Sequence, residues 1–106
     1  MKGIDGVLKE ELGRLLELEK SYLREIKALP KGSIQQKKIK KKSYPYLVCR
    51  DGSDVIYGYV GKLSKAEIEK LKSEIEQRRK FERLLREVRR NISRLEKIVY
   101  GRKRTV

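Results

Sequence analysis

Residues 44–60, with the sequence YPYLVCRDGSDVIYGYV, predict a β-hairpin and decide the fold. Tyrosine and β-branched residues, which favour strands, occupy both arms of this stretch. Gly52-Ser53 lies between the arms and fits a two-residue type II′ turn, because that turn requires glycine at its first central position. The chain is therefore expected to contain a pair of antiparallel strands near its centre.

A two-residue turn also fixes which residues of the two strands lie opposite each other. Arg50 is predicted to face Val55, and Tyr46 to face Tyr59. Because side chains alternate between the two faces of a sheet, one face is predicted to be aliphatic and the other rich in tyrosine. The predicted tyrosine face contains Tyr44, Tyr46, Tyr57 and Tyr59.

A lone hairpin is only marginally stable in water, so a further element must pack on it or pair with it. Residues 34–39, with the sequence IQQKKI, are predicted to form a short, polar edge strand beside the hairpin. Four polar residues, 40–43, interrupt the pattern and are predicted to form the turn that joins this strand to the hairpin.

Apolar residues recur at intervals of three and four on both sides of this central region, which is the period of an amphipathic helix. The first helix is predicted over residues 4–29, where Pro30 ends it. The second is predicted over residues 65–100, and Ser64 and Glu67 have the spacing of a capping box at its start.

These elements predict an α+β fold, in which an antiparallel two-helix coiled-coil hairpin has a small two- or three-stranded antiparallel sheet inserted between its helices. One domain is expected over residues 1–106, because a chain of this length supports a single core. The β-hairpin region is expected over residues 33–61, and the basic tail of residues 102–106 is expected to fray.

The two predicted helices differ in length, at about 39 Å and about 55 Å. If they pair from the end that joins the sheet, roughly ten residues of the second helix extend beyond the first. Apolar residues in that extension would be exposed in a monomer, so a homodimer or a different protein partner is predicted to cover them. The alternative is that residues 1–6 fold back over them. The predicted interface consists of Ile92, Leu95 and Val99.

The composition argues against several functional classes. The 106 residues include no His and one Cys, so an internal disulfide and the usual zinc, haem and iron–sulfur ligand sets are excluded, and no metal or cofactor is expected. There is no phosphate-binding loop and no nucleophile elbow, so we expect no catalytic residues and no enzymatic activity. The absence of a long apolar run and of a secretory signal predicts a cytoplasmic protein that does not enter a membrane.

The charge is strongly positive and unevenly distributed. There are 29 Lys and Arg residues against 15 Asp and Glu residues, which gives a formal net charge of +14. Residues 1–30 are neutral, so the excess lies in the sheet region and the second helix. Basic residues are also abundant in thermophile proteins, but there Glu usually balances Lys. The one-sided excess favours a negatively charged partner such as DNA or RNA.

The second helix carries a row of cations at helical spacing, which we call the arginine stripe. Its members fall within about 80° of one another around the helix, opposite the apolar residues. Like charges four residues apart repel, whereas a solvated helix face usually mixes signs, so a polyanion or an acidic protein would relieve this repulsion. Arginine also favours bidentate contacts with phosphate or carboxylate. The arginine stripe consists of Arg79, Arg83, Arg86, Arg90, Arg94 and Lys97.

A second basic group adjoins the tyrosine face. Proteins that bind nucleic acids combine aromatic rings, on which bases stack, with cations that contact phosphates. Both residue types can also be purely structural, because lysines protect an edge strand from aggregation and tyrosine pairs stabilise a hairpin without a ligand. The sequence leaves the binding role and the structural role both open. The lysines of this group are Lys37, Lys38, Lys40, Lys41 and Lys42.

The order of motifs along the chain resembles a family of small uncharacterised prokaryotic domains. Those domains carry an LPxGS turn, a tyrosine-rich YxYL strand and a strand ending near YxGK, which residues 29–33, 44–47 and 59–62 match. The resemblance covers most of the chain, from about Ile26 into the second helix, and implies no established activity. The hairpin also resembles one near the start of some transposases, which points to DNA.

These patterns predict a non-enzymatic nucleic-acid-binding protein that uses the basic helix face and the lysine- and tyrosine-rich hairpin. Weak sequence specificity is expected because no base-reading motif is visible, and DNA and RNA are both open. The alternative is an antitoxin-like adaptor that binds an acidic protein through the long helix. A helix lying on a membrane surface is the least favoured, because the apolar seam lacks Trp and a partner helix is available to cover it.

Overall fold

The structure is a computed structural model that describes residues 3–101, and it confirms the predicted α+β fold. A three-stranded antiparallel sheet lies between two helices in the order of the chain. The expected fraying of residues 102–106 lies outside the described residues. The elements are α1 (Ile4–Ala28), β1 (Ser33–Ile39), β2 (Lys42–Asp51), β3 (Asp54–Tyr59) and α2 (Lys65–Tyr100).

The strand order is β1-β2-β3, and the predicted hairpin register is confirmed. Arg50 lies opposite Val55, and Tyr46 lies opposite Tyr59. Gly52 has a φ of 62°, the positive value that the first central position of the turn requires. The glycine thus fixes both the turn and the division of the hairpin into two faces.

The turn between β1 and β2 is shorter than predicted. Residues 40–43 were all expected in it, but only Lys40 and Lys41 are, because Ile39 already pairs with Lys42. Lys42 and Ser43 belong to β2, where the Ser43 hydroxyl donates a hydrogen bond to Gln36 Oε1 at 3.0 Å. The prediction was wrong because polar residues in an exposed strand have the same composition as a turn.

The described chain divides into two compact units, and the first combines α1 with α2 from Lys80 onward. Within it the two helices run antiparallel, since Tyr22 near the end of α1 contacts Phe81, with ring centroids 5.8 Å apart. The first half of α1 packs against the second half of α2. This core consists of Leu12, Leu15, Val88 and Ile92, with Leu16, Leu18, Tyr22 and Leu95 packed against it.

The prediction that the apolar interface residues in the second half of α2 are exposed is wrong. Ile92 has 0% of its surface exposed, Leu95 packs against the core, and Val99 is half-buried. The extra length of α2 lies at its start, where residues 65–79 group with the sheet, so α1 is matched by residues 80–100. The predicted partner interface at Ile92, Leu95 and Val99 therefore loses its basis, because α1 already covers Ile92 and Leu95.

The second unit is Leu29–Arg79, which contains the sheet and the start of α2. The predicted capping box is confirmed: Ser64 Oγ accepts from the Glu67 backbone N–H, and Glu67 Oε1 accepts from the Ser64 backbone N–H, each at 3.1 Å. These hydrogen bonds to Ser64 lower the pKa of Glu67. The Arg78 guanidinium donates a hydrogen bond to the Leu29 backbone oxygen at 2.8 Å.

Replacing Ile92 by alanine should lower the free energy of unfolding by about 2–4 kcal/mol, because it leaves a cavity in the core of the first unit. Urea denaturation followed by circular dichroism measures this loss. The control is Ile98→Ala on the same helix, since the Ile98 side chain is 65% exposed. That substitution should change the free energy by less than about 0.5 kcal/mol. Equal losses in both variants would contradict this packing.

Candidate nucleic-acid interface

Five members of the arginine stripe lie together on the solvent side of α2. Residues whose number differs by three or four share a helix face, so these side chains project in one direction. All five are exposed, whereas Leu85, Val88 and Ile92 on the opposite side are buried. We call these five the free stripe, and they are Arg83, Arg86, Arg90, Arg94 and Lys97.

No side chain of the free stripe forms a hydrogen bond or ion pair with another of residues 3–101. Some exposed cations elsewhere in the described chain are paired with a glutamate three residues away. Arg14 contacts Glu11 at 2.6 Å and Lys20 contacts Glu17 at 3.3 Å. The Arg14–Glu11 hydrogen bond raises the pKa of Arg14 and lowers the pKa of Glu11. The free stripe lacks this local neutralisation.

Arg79 differs from the rest of the arginine stripe. One of its guanidinium nitrogens contacts Glu76 Oε1 at 2.9 Å, and the other donates to the Gly32 backbone oxygen at 3.2 Å. Its charge is thus partly neutralised, and its side chain ties α2 to the segment before β1. Arg79 is a structural residue of the second unit and does not belong to the free stripe.

The surface of the free stripe is not uniformly basic. A shallow groove on this side of α2 has one acidic residue, Glu87, among its lining. Leu84 supplies an apolar floor beside it. Arg89 faces away, since its Nε donates to the largely buried carboxylate of Glu19 at 2.9 Å. The groove is lined by Lys80, Arg83, Leu84, Arg86, Glu87 and Arg90.

The tyrosines of the sheet pack against one another across the strands. The ring of Tyr59 lies 5.5 Å from that of Tyr46 and 6.3 Å from that of Tyr44, measured between centroids. Lys37 Nζ lies 4.5 Å from the ring centroid of Tyr57 and 5.6 Å from that of Tyr46, which is cation–π distance. The tyrosine–tyrosine and lysine–tyrosine contacts that would stabilise the hairpin without a ligand are therefore formed.

The same cluster also leaves aromatic surface open. Tyr57 and Tyr59 remain 51% and 50% exposed. A pocket of about 270 Å³ opens on this face, lined by Ile39, Tyr44, Tyr46 and Tyr59. Ile39 was not predicted as part of this face, although its pairing with Lys42 places it there.

Gly61 is a second residue that the sequence analysis missed. A Cβ at this position would overlap the Tyr59 ring, so only glycine lets that ring lie over the backbone. The motif YVGK, residues 59–62, contained the signal, because a glycine just after a strand marks a close approach of a neighbouring group.

The predicted lysine group is not a single patch. Lys37 and Lys42 lie on the tyrosine face, by their pairing with Tyr44 and Ile39. Lys38 lies on the opposite face, and Lys40 and Lys41 form the turn. Four of the five lysines are therefore at the tyrosine face or at the end of the sheet beside it.

Metal-binding and membrane-spanning features are absent from residues 3–101. No three His, Cys, Asp or Glu side chains there come together as a metal site. Neither helix has a segment apolar enough to cross a bilayer within the described chain. Cys49 is half-buried, and its thiol donates to the Lys31 backbone oxygen at 2.9 Å.

Comparisons with known proteins return no match for this chain among family models, curated proteins or solved structures. The resemblance to a family of small prokaryotic domains therefore stays a prediction.

Replacing Lys40 by glycine should stabilise the protein, because Lys40 has a φ of 58°, which favours glycine. We expect a gain of about 0.5–1 kcal/mol in the free energy of unfolding. Lys41→Gly is the matched control, since Lys41 has a negative φ and glycine there should destabilise by a similar amount. Urea denaturation distinguishes the two, and a loss of stability in Lys40→Gly would contradict this turn geometry.

Proposed function

We propose that this protein is a non-enzymatic nucleic-acid-binding protein that contacts phosphates through the free stripe. The observation that carries the proposal is the row of five exposed cations without a carboxylate partner among residues 3–101, in a chain whose other helix pairs Arg14 and Lys20 with glutamates. Repulsion along this row costs free energy in the isolated protein, and an adjacent polyanion removes that cost.

The dimensions of the free stripe fit a nucleic-acid backbone. From Arg83 to Lys97 the helix rises about 21 Å. A duplex advances by about 3.4 Å per base pair, so this length spans about six steps of one strand. Arginine contributes planar donors that bind phosphate oxygens in pairs. Contacts of this kind position a protein without reading bases, so weak sequence specificity is part of the proposal.

The tyrosine face and its lysines form a second region that could bind nucleic acids. Exposed rings offer stacking surface to unpaired bases, and the nearby ammonium groups offer phosphate contacts. Tyr57 and Tyr59 are half exposed, and the pocket beside Tyr44 is open to solvent. Binding at this region would favour single-stranded ligands, whereas the free stripe accepts single or double strands.

The adaptor alternative has weaker support. It relied on exposed apolar residues in the second half of α2, but Ile92 is buried and Leu95 packs against the core. An acidic protein could still bind the free stripe by charge alone. Nucleic-acid binding is favoured because five like charges in a row match the regular spacing of phosphates better than the irregular surface of a folded protein.

Binding of a 20-base-pair DNA should depend steeply on salt. If all five cations contact phosphates, the logarithm of the association constant should fall with the logarithm of salt concentration with a slope of about −4.5. Fluorescence anisotropy at several salt concentrations measures this slope. The double variant Arg86→Gln/Arg90→Gln should reduce its magnitude by about 2, because two contacts are lost.

The matched control is Arg14→Gln/Lys20→Gln, which removes the same charge from paired positions on α1. Its slope should stay within about half a unit of the wild-type value. Equal effects of the two double variants would mean that net charge alone drives binding. No measurable binding of DNA or RNA at low salt would refute the proposed function.

A further inference from the structure

The two edges of the sheet differ in how they are protected from pairing with another strand. β1 carries Lys37 and Lys38 and runs into the lysines of the turn. Charged side chains, especially Lys, keep edge strands from pairing with other chains. β3 has one charged residue, Asp54, at its start, followed by VIYGY without a charge or proline. β3 is therefore the unprotected edge.

β3 also exposes apolar side chains on both faces of the sheet. All six of its residues are exposed. Val55 is 44% exposed, Ile56 51%, Tyr57 51% and Tyr59 50%. Val55, Tyr57 and Tyr59 lie on one face and Ile56 on the other, so packing on a single face could not cover them. Extension of the sheet would shield side chains on both faces.

The hydrogen bonds show which backbone groups of β3 are free. The Val60 N–H donates to the Pro45 oxygen at 3.1 Å, so the backbone of Val60 points toward β2. Because this direction alternates along a strand, Ile56 and Gly58 also point toward β2. The N–H and C=O groups of Val55, Tyr57 and Tyr59 consequently point away from the sheet, where no strand of the described chain accepts them.

We propose that β3 pairs antiparallel with β3 of a second copy of this chain. The outward-pointing residues must pair with each other, which places Tyr57 opposite its own counterpart and Val55 opposite Tyr59 of the second copy. About six backbone hydrogen bonds would form across the two-fold axis. No other symmetric register uses all three outward residues of both strands.

Side chains in this register complement one another. Val55 meets an aromatic ring and Tyr57 meets Tyr57, which are favourable cross-strand pairs. Ile56 lies opposite Gly58 of the second copy, so the bulky side chain covers the one position that has none. Asp54 lies opposite Val60, so no like charges face each other. This self-complementarity favours a second copy over an unrelated peptide.

Salt separates this association from nucleic-acid binding. Each copy has a formal net charge of +14, so two copies repel and added salt should strengthen their pairing. Nucleic-acid binding weakens with salt. The dimer does not depend on the proposed function, and the tyrosine faces of both copies would lie on the same side of the joined sheet.

The test is sedimentation equilibrium of nuclease-treated protein at moderate salt, over a wide range of protein concentration. We expect a monomer–dimer equilibrium. Ile56→Lys places a charge on the unprotected edge and should weaken the dimer about tenfold or more. Gln36→Lys adds the same charge to the same face of β1, the other edge, and should leave the dissociation constant within about twofold.

A second measurement uses only the wild-type protein, so it tests the dimer even if Ile56→Lys perturbs the fold. Amide hydrogen exchange of the wild-type protein should slow for Val55, Tyr57 and Tyr59 as the protein concentration rises. The amides of Ile56 and Gly58 should exchange at the same rate throughout, because they already bond to β2. A monomer at every concentration, a dimer that Ile56→Lys leaves intact, or exchange independent of concentration would overturn the proposal.

Discussion

The packing of α1 on the second half of α2 is the constraint on which the rest of the structure depends. Leu12 and Leu15 cover Val88 and Ile92, so one side of α2 is buried and the other must face solvent. Pairs of opposite charge three or four residues apart would stabilise such a solvent-facing side. Here it carries five cations without a carboxylate partner among residues 3–101, and the proposed function follows from that local imbalance.

The sheet is stabilised by contacts between partly exposed side chains. None of its strand residues is fully buried, yet its tyrosines contact each other and Lys37 on a face that stays partly open. Such a face can be stabilised by its own pairs and still offer ring surface to a ligand. Pairing at the unprotected β3 edge would stabilise this sheet further, because a sheet with little buried surface gains stability from additional strands.

The features of the fold that depend on residues close together in the chain could be predicted from the sequence. Gly52 fixes the turn and therefore the hairpin register, and the three-and-four spacing of apolar residues fixes both helices. The exposure of Ile92, Leu95 and Val99 was predicted wrongly, because helix length does not tell which end of the longer helix extends beyond the shorter one. The role of Arg79 was hidden for a similar reason: its partner Gly32 lies 47 positions away in the chain. Exposed strand residues such as Lys42 and Ser43 lack the apolar alternation that would distinguish them from a turn.

The most direct test of the central claim is an NMR titration that follows the arginine side-chain Nε–Hε signals as a short DNA duplex is added. The proposed function predicts that the signals of Arg83, Arg86, Arg90 and Arg94 shift together, whereas those of Arg14 and Arg89, which are bound to glutamates, change little. Shifts spread evenly over all arginines, or confined to residues outside α2, would contradict it.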